Sequence, residues 1–196
     1  MKLTTASALV TTLSLASASP CNNPFPRPTQ PSDVFRLISI RSGSELQYGN
    51  VQAKDSSFYI NAPSQNSSCS NPDTNYASFT LSDAGDLYLY TDFPPTQAVV
   101  DRSGMGQGVI QYTTGVAPQI GRNSERGPFV IDDAGNLVFG GGADGASTGF
   151  QACPGAVGGG WSLWLTGVEK PAGNEGCLGI NLKAVKEEEA VKCLYT

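Results

Sequence analysis

The chain has 196 residues, with 12 Lys or Arg, 17 Asp or Glu and no histidine, and its formal net charge is −5. This acidic balance repels nucleic acid and anionic membranes, so neither is expected as a partner. The lack of histidine excludes Ser-His-Asp and Cys-His nucleophile activation, histidine acid–base catalysis and histidine-ligated zinc.

Residues 1–18 have the pattern of a signal peptide. Lys2 precedes an apolar stretch over residues 6–15, and Ala16-Ser17-Ala18 forms an A-x-A cleavage site. The apolar stretch is shorter than the roughly 20 residues that span a bilayer, so a membrane anchor is not expected. The sequence therefore predicts a secreted protein whose mature chain carries 11 basic and 17 acidic residues, a net charge of −6 (11 − 17).

A proline-rich arm over residues 19–33 precedes a single predicted domain over residues 34–196. Cys21 lies in this arm. In an oxidising compartment five cysteines predict two disulfides and one leftover thiol. We expect Cys21 to be free or to bond a partner protein, and the pairing among the other four stays open, a Cys177–Cys193 bridge being one possibility. The disulfide candidates are Cys69, Cys153, Cys177 and Cys193.

Alternating apolar residues predict an all-β chain of about twelve short strands. With 23 glycines and 13 prolines few stretches are long enough for helices, and residues 184–192 form either a short helix or a charged loop. The predicted strands are residues 35–40, 45–53, 57–61, 77–82, 85–90, 98–102, 108–114, 128–132, 135–140, 149–153, 160–165 and 177–185.

An internal repeat relates residues 79–87 to residues 129–137 through the pattern F-x-aliphatic-x-D-A-G-[DN]-L, with Gly85 and Gly135 fifty residues apart. Each copy predicts a hairpin, because Asp-Ala-Gly permits a tight reversal between alternating strands. A period of four strands predicts a β-trefoil-like barrel. A β-sandwich or an irregular barrel with one duplicated hairpin is the alternative fold.

Several side chains are candidates for contact with carbohydrate. Asn66 begins the sequon Asn-Ser-Ser and is the predicted N-glycosylation site. Tyr88 and Tyr90 alternate with leucines, and Trp164 lies in an alternating strand, so these rings are candidates for stacking on sugars. Packing against neighbouring strands or a second layer is the alternative for each ring.

No catalytic, cofactor or metal site is predicted. The glycine-rich residues 103–108 lack the Lys-Ser/Thr of a phosphate-binding loop and open toward a strand, so they indicate a turn. The cysteines lack C-x-x-C spacing, and seven of the 17 acids lie in the two hairpin turns or in the run 187–189. A glycosidase pair of carboxylates is therefore the least favoured reading.

Longer motifs resemble the fungal phialide cell wall protein family, PhiA. They are VDRSGMGQGVIQYTTG at residues 100–115, RNSERGPF at 122–129, and GWSLWLTGVEKPAGNEGCLGI at 160–180, with ISIRSGSELQY, SQNSSC and Ala-Cys-Pro in addition. The resemblance covers nearly the whole mature chain, apart from the arm and residues 140–149. It implies a secreted, non-enzymatic cell wall component that acts in forming phialides and conidia, in a family with IgE-binding members.

The order of the last four cysteines also resembles the four-cysteine C-terminal domain of yeast cell wall proteins with internal repeats. Members attach to β-1,3-glucan through a glutamine in a separate repeat, from which the string GQGVIQ departs. Covalent attachment is therefore not predicted for Gln107 or Gln111. The expected partners are wall polysaccharide or wall proteins, including one disulfide-linked through Cys21.

Two other functions remain open. A lectin-like module would use the predicted stacking rings on wall glycans. A secreted inhibitor or effector would engage a target protein through a long exposed loop such as residues 113–127.

Overall fold

The structure is a computed structural model that describes residues 33–140 and 146–195. The predicted signal peptide and the predicted arm up to residue 32, including Cys21, lie outside the described residues.

The described residues form fifteen β-strands and one 3₁₀ turn, Pro171–Gly173, and no α-helix. The strands are β1 (Phe35–Ile40), β2 (Val51–Lys54), β3 (Ser57–Ile60), β4 (Ser68–Cys69), β5 (Ser78–Leu81), β6 (Leu87–Leu89), β7 (Thr96–Asp101), β8 (Val109–Thr114), β9 (Ser124–Glu125), β10 (Phe129–Ile131), β11 (Asn136–Phe139), β12 (Phe150–Pro154), β13 (Trp161–Leu165), β14 (Leu178–Lys186) and β15 (Cys193–Leu194).

Nine strands close into an antiparallel barrel in the order β1-β5-β6-β7-β8-β3-β13-β12-β14, with β14 pairing back to β1. The closing register is six residues long, from Phe35 opposite Lys186 to Ile40 opposite Asn181. Closure removes the exposed edges that an open sheet would present to water and to other chains. Outside the circuit β2 pairs with β3, β9 with β7, and the β10–β11 hairpin with β14, while β4 and β15 form a separate ladder.

The core consists of the apolar side chains that alternate inward along these strands. The Phe35 and Phe79 rings stack with centroids 6.1 Å apart, and Phe58 lies 5.8 Å from Phe79 and 5.3 Å from Tyr112. All four residues are at most 3% exposed. Burial of aromatic rings at such spacings stabilises the fold beyond the area removed from water, because offset and tilted ring pairs attract.

Both predicted Asp-Ala-Gly hairpins are confirmed. Phe79 faces Leu89 across β5–β6, and Phe129 faces Phe139 across β10–β11. The two turns are closed in the same way, by a side-chain oxygen that accepts a backbone N–H four residues later. The Ser82 Oγ accepts the Asp86 N–H at 3.0 Å, and the Asp132 Oδ1 accepts the Asn136 N–H at 2.7 Å. The glycine carbonyl of each turn also accepts a hydrogen bond from a residue later in the chain. The Phe129 N–H donates to the Gly85 carbonyl, and the Ala184 N–H donates to the Gly135 carbonyl.

Other fold predictions need correction. The trefoil-like arrangement and the count of twelve strands are not confirmed, because the closed circuit has nine strands and β10–β11 lies outside it. Of the two predictions for residues 184–192, the short helix is wrong, since β14 continues to Lys186, and the charged loop is right for residues 187–192, which lead to β15. The strand over residues 45–53 is right only from Val51 onward. Among the described residues no helix has the length and apolar character to cross a membrane.

Candidate functional site

Two disulfides join the four cysteines of the predicted domain. Cys69 bonds Cys193 across 124 residues, and Cys153 bonds Cys177 across 24. The bridge from Cys177 to Cys193 that sequence spacing allowed is therefore not formed. Cys21 lies outside the described residues, and its free or intermolecular state stays a prediction.

The segment of residues 187–195, here called the terminal segment, is fixed to the barrel at several points. The Glu187 N–H donates to the Val34 carbonyl at 2.9 Å, and β15 pairs with β4 through the Cys69–Cys193 bridge. Tyr195 is 5% exposed and its hydroxyl accepts the Ser78 N–H at 3.2 Å. The residues that follow β14 therefore return over the barrel and join its core.

Glu187 is the half-buried acid of the terminal segment. Both of its carboxylate oxygens are shielded from water without a well-formed hydrogen bond. Burial raises the pKa of the Glu187 carboxyl, while the nearby Ser78 and Tyr76 hydroxyls and the Arg36 guanidinium counter part of the rise. Burial also raises the pKa of the Tyr195 phenol. Glu187 and Tyr195 are therefore the titratable groups of the terminal segment that burial perturbs.

A groove of about 690 Å³ lies where the terminal segment meets two loops. Its walls come from residues 68–70, 90–93, 190 and 192–194, and we call it the bridge groove because both cysteines of the Cys69–Cys193 disulfide line it. The Ser70 N–H donates to the Lys192 carbonyl at 2.9 Å, and the Cys193 N–H to the Tyr90 carbonyl at 3.4 Å. Three segments that are distant in sequence are thus held together by backbone bonds and one covalent link.

The side chains of the bridge groove combine an ion pair with exposed apolar groups. The Lys192 ammonium lies 2.6 Å from the Asp92 carboxylate and 5.5 Å from the centre of the Tyr90 ring. The Asp92 contact raises the pKa of Lys192. Phe93 is 82% exposed and Leu194 is 57% exposed. The groove therefore offers an aromatic ring, an aliphatic chain and a neutralised pair of charges to water.

The structure separates the three predicted stacking rings. Tyr90 lines the groove, but the Lys192 ammonium lies over its ring. Tyr88 lies half-buried between Thr80 and Gln97 of the neighbouring strands and does not line the groove. Prediction from alternation located both tyrosines outside the core and could not say which of them borders a groove.

Trp164 does not present its indole as a stacking surface. It is 7% exposed, and its Nε1 donates to the Ser162 Oγ at 2.8 Å. Residues 155–157 and Asn174 line the same small cavity as Trp164. Burial was the predicted alternative to sugar stacking for this ring.

Phe93 is the groove residue that sequence analysis missed. It stands in a short loop between two strands and is followed by Pro94 and Pro95. An aromatic residue beside two prolines in such a loop has few ways to reach the core, and this signal could have identified it.

Asn66 is exposed and precedes the bridge at Cys69 by three residues. Its backbone N–H donates to the Ser64 Oγ at 3.1 Å, and its φ of 51° lies in the left-handed region that asparagine tolerates. The side chain of the sequon is therefore accessible to a glycosyl donor. Its glycosylation stays a prediction.

The glycine-rich residues 103–108 form the predicted turn, between β7 and β8. The Asp101 carboxylate accepts the Ser103 N–H at 2.8 Å, and the Ser103 Oγ accepts the Gly106 N–H at 2.9 Å. A Cβ on Gly106 would lie 2.2 Å from the Asp101 carboxyl carbon, which explains the glycine. Because the loop uses these donors on itself and holds a carboxylate, it is unsuited to phosphate.

The loop proposed for an inhibitor is shorter than predicted, because β8 extends to Thr114 and β9 begins at Ser124. The Arg126 guanidinium donates to the Pro118 carbonyl at 2.6 Å and to the Gln97 Oε1 at 2.7 Å, and so ties the loop to β7. Within residues 33–140 and 146–195 no three metal-ligating side chains come together.

Comparison with known proteins gives a consistent result. The profile of the PhiA-like secreted protein family matches residues 35–196. The cell wall protein phiA of Emericella nidulans is 39% identical over 197 residues, covering 100% of both chains. The protein of the same name from Aspergillus niger is 44% identical over 84% of this chain and 86% of its own, and that of Arthroderma benhamiae 33% identical over 94% and 98%. No solved structure matches the chain. The predicted family resemblance and the predicted secreted, cell-wall location are confirmed.

Proposed function

Because the chain belongs to the PhiA-like secreted protein family, we propose that it is a non-enzymatic fungal cell wall component that acts in forming phialides and conidia. The observation that carries the proposal is similarity over the full length to a protein named for the cell wall. A closed barrel with two disulfides suits a protein that must persist outside the cell, since closure and cross-links both oppose unfolding.

The absence of catalysis is part of the proposal and is supported by the position of the perturbed carboxyl. The pKa of the Glu187 carboxyl is raised, and this half-buried acid belongs to the terminal segment and does not line the bridge groove. A glycosidase needs a second carboxyl across an open cleft. Incubation with wall polysaccharides should therefore release no reducing ends.

Deletion of the gene in a conidiating host tests the developmental role. We expect fewer or malformed phialides and fewer conidia, and rescue by the full chain. A chain lacking residues 1–18 is the matched control, because without the predicted signal peptide it should not reach the wall or rescue. Normal phialides and conidia in the deletion strain would contradict the proposal.

Two further features of the predicted mature chain belong to this proposal, namely a glycan on Asn66 and an intermolecular disulfide at Cys21. Both are supported by the exposed sequon and by the use of the other cysteines in two internal bridges. Non-reducing mass spectrometry of the wall-extracted protein should find Cys21 bonded to a partner. Cys21→Ser should abolish that species and leave the unfolding midpoint unchanged.

A further inference from the structure

The bridge groove keeps a bare aromatic ring in water on a fixed support. Phe93 is 82% exposed, and Leu194, which also lines the groove, is 57% exposed. Behind them the Cys69–Cys193 bond and the hydrogen bond from Cys193 to Tyr90 fix the two walls relative to each other. A large apolar group that is exposed in a rigid concave surface is typical of a binding site, and the volume of about 690 Å³ is in the range of such sites.

The charge of the groove selects against ionic ligands. Asp92 and Lys192 are its charged residues, they pair at 2.6 Å, and the other residues that line it are neutral. The chain as a whole carries −5, so an anion gains nothing from the surrounding field. A ligand with a net charge would meet no unpaired opposite charge among the residues that line the groove. The preferred ligand is therefore neutral.

The polar groups of the groove suit hydroxyls. The Asp92 carboxylate accepts hydrogen bonds, the Lys192 ammonium donates them, and the Ser68 and Ser70 hydroxyls can do either. Ser68, Ser70 and Asp92 are exposed. A hexose ring presents an apolar C–H face for an aromatic ring and a rim of hydroxyls for such groups. A purely apolar ligand would leave the ion pair without compensation.

We propose that the bridge groove binds a neutral hexose polymer of the cell wall, with the Phe93 ring stacked on one sugar and the Asp92–Lys192 pair bonded to hydroxyls. This inference rests on the proposed wall function and gives it a site. Tyr90 serves as the support of Lys192, whose ammonium lies over its ring. The stacking role thus moves from the predicted tyrosines and Trp164 to Phe93.

Titration of the secreted, oxidised, isotope-labelled protein with a hexamer of β-1,3-linked glucose, observed by NMR, tests the proposal. Chitohexaose and a mannose hexamer test the choice among neutral polymers, and hexagalacturonate tests the exclusion of anions. We expect at least one neutral hexamer to shift the resonances of Tyr90, Phe93 and Lys192. Phe93→Ala should lower its affinity about tenfold, and Phe93→Trp should keep it within about threefold.

The matched control is Met105→Ala, because Met105 is 88% exposed and belongs to a loop that does not line the groove. Met105→Ala should change neither the affinity for the hexamers nor the resonance shifts that they cause at the groove. Absence of groove shifts with every neutral hexamer, equal losses in Phe93→Ala and Met105→Ala, tighter binding of hexagalacturonate, or self-association through the groove would each overturn the proposal. So would binding that appears only in Asn66→Gln, since the protein's own glycan would then be the occupant.

The two proposals fail separately. If Phe93→Ala loses oligosaccharide binding as expected, its ability to rescue the deletion strain measures how far the wall role depends on the groove. If no hexamer binds while the deletion strain still lacks conidia, the groove proposal is wrong and the wall function remains.

Discussion

The barrel and the terminal segment are stabilised in different ways. In the barrel many buried side chains share the stabilisation, and rings such as Phe35, Phe58 and Phe79 contact one another directly. In the terminal segment two of nine residues, Cys193 and Tyr195, are buried, and its position depends on one disulfide, a few hydrogen bonds and one ion pair. Burial that is shared among many side chains tolerates a single substitution, whereas a position that depends on a few bonds is sensitive to the loss of any one of them. The bridge groove shares this sensitivity because the terminal segment borders it.

The largest effect is expected from removal of the bridge that fixes the terminal segment. By the chain-entropy estimate, Cys69→Ser with Cys193→Ser should lower the free energy of unfolding by about 5 kcal/mol, because the bond spans 124 residues. Cys153→Ser with Cys177→Ser, which opens a span of 24 residues, should lower it by about 3.5 kcal/mol. Urea unfolding of both double variants measures the difference. A larger loss at the shorter bridge would contradict the comparison.

In the barrel, Phe79→Ala should cost about 3–5 kcal/mol, because it leaves a cavity among rings that are nearly fully buried. The loss should appear as a lower urea midpoint of one cooperative transition. Val130→Ala on β10 is the control, since Val130 is 45% exposed and should change stability by about 0.5 kcal/mol or less. Similar losses in the two variants would argue against a core centred on these rings.

A smaller effect is expected from Tyr195→Phe. The change removes the hydroxyl that accepts the Ser78 N–H and keeps the buried ring, so it should lower stability by about 1–2 kcal/mol. Tyr88→Phe on the outer face of the barrel should stay within about 0.5 kcal/mol. Amide hydrogen exchange should speed up at Ser78 in the first variant alone. Unchanged exchange there would show that the hydroxyl does not fix the terminal segment.

The smallest effect concerns pH. Since burial raises the pKa of Glu187, the folded chain binds a proton at pH values where the unfolded chain has released it. The contribution of Glu187 to the free energy of unfolding is therefore fully present below the ordinary carboxyl pKa of about 4.3. It is lost as pH rises through the raised pKa of Glu187 in the folded chain. Glu187→Gln removes this dependence of the free energy of unfolding on pH.

The unfolding free energy of Glu187→Gln relative to the natural chain should become more positive as pH rises from about 4 to 7. Urea titrations at several pH values give this difference directly. Glu189→Gln is the matched control, because it removes an exposed acid of the same run. A flat or falling difference for Glu187→Gln would mean that its carboxyl is solvated in solution.

Local chemistry made much of the fold predictable. Each of the twelve predicted strand segments overlaps an observed strand, because alternation indicates which side chains avoid water. The three strands that were missed, β4, β9 and β15, have two residues each and are too short to alternate. Residues 184–192 failed as a helix because pairing with β1 extends β14 to Lys186, and tertiary pairing overrode the local pattern.

Sequence by itself determined the secreted class, the strand segments, the two Asp-Ala-Gly hairpins and the family, because these depend on neighbouring residues or on long specific motifs. The tertiary structure alone decided which strands close the barrel, which cysteines pair, that Trp164 is covered and that Phe93 is bare. Alternation with a period of two indicates which face of a strand is buried. It does not indicate which strand lies beside it. The bridge groove is lined by residues 68–70, 90–93, 190 and 192–194, and only the folded chain brings them together.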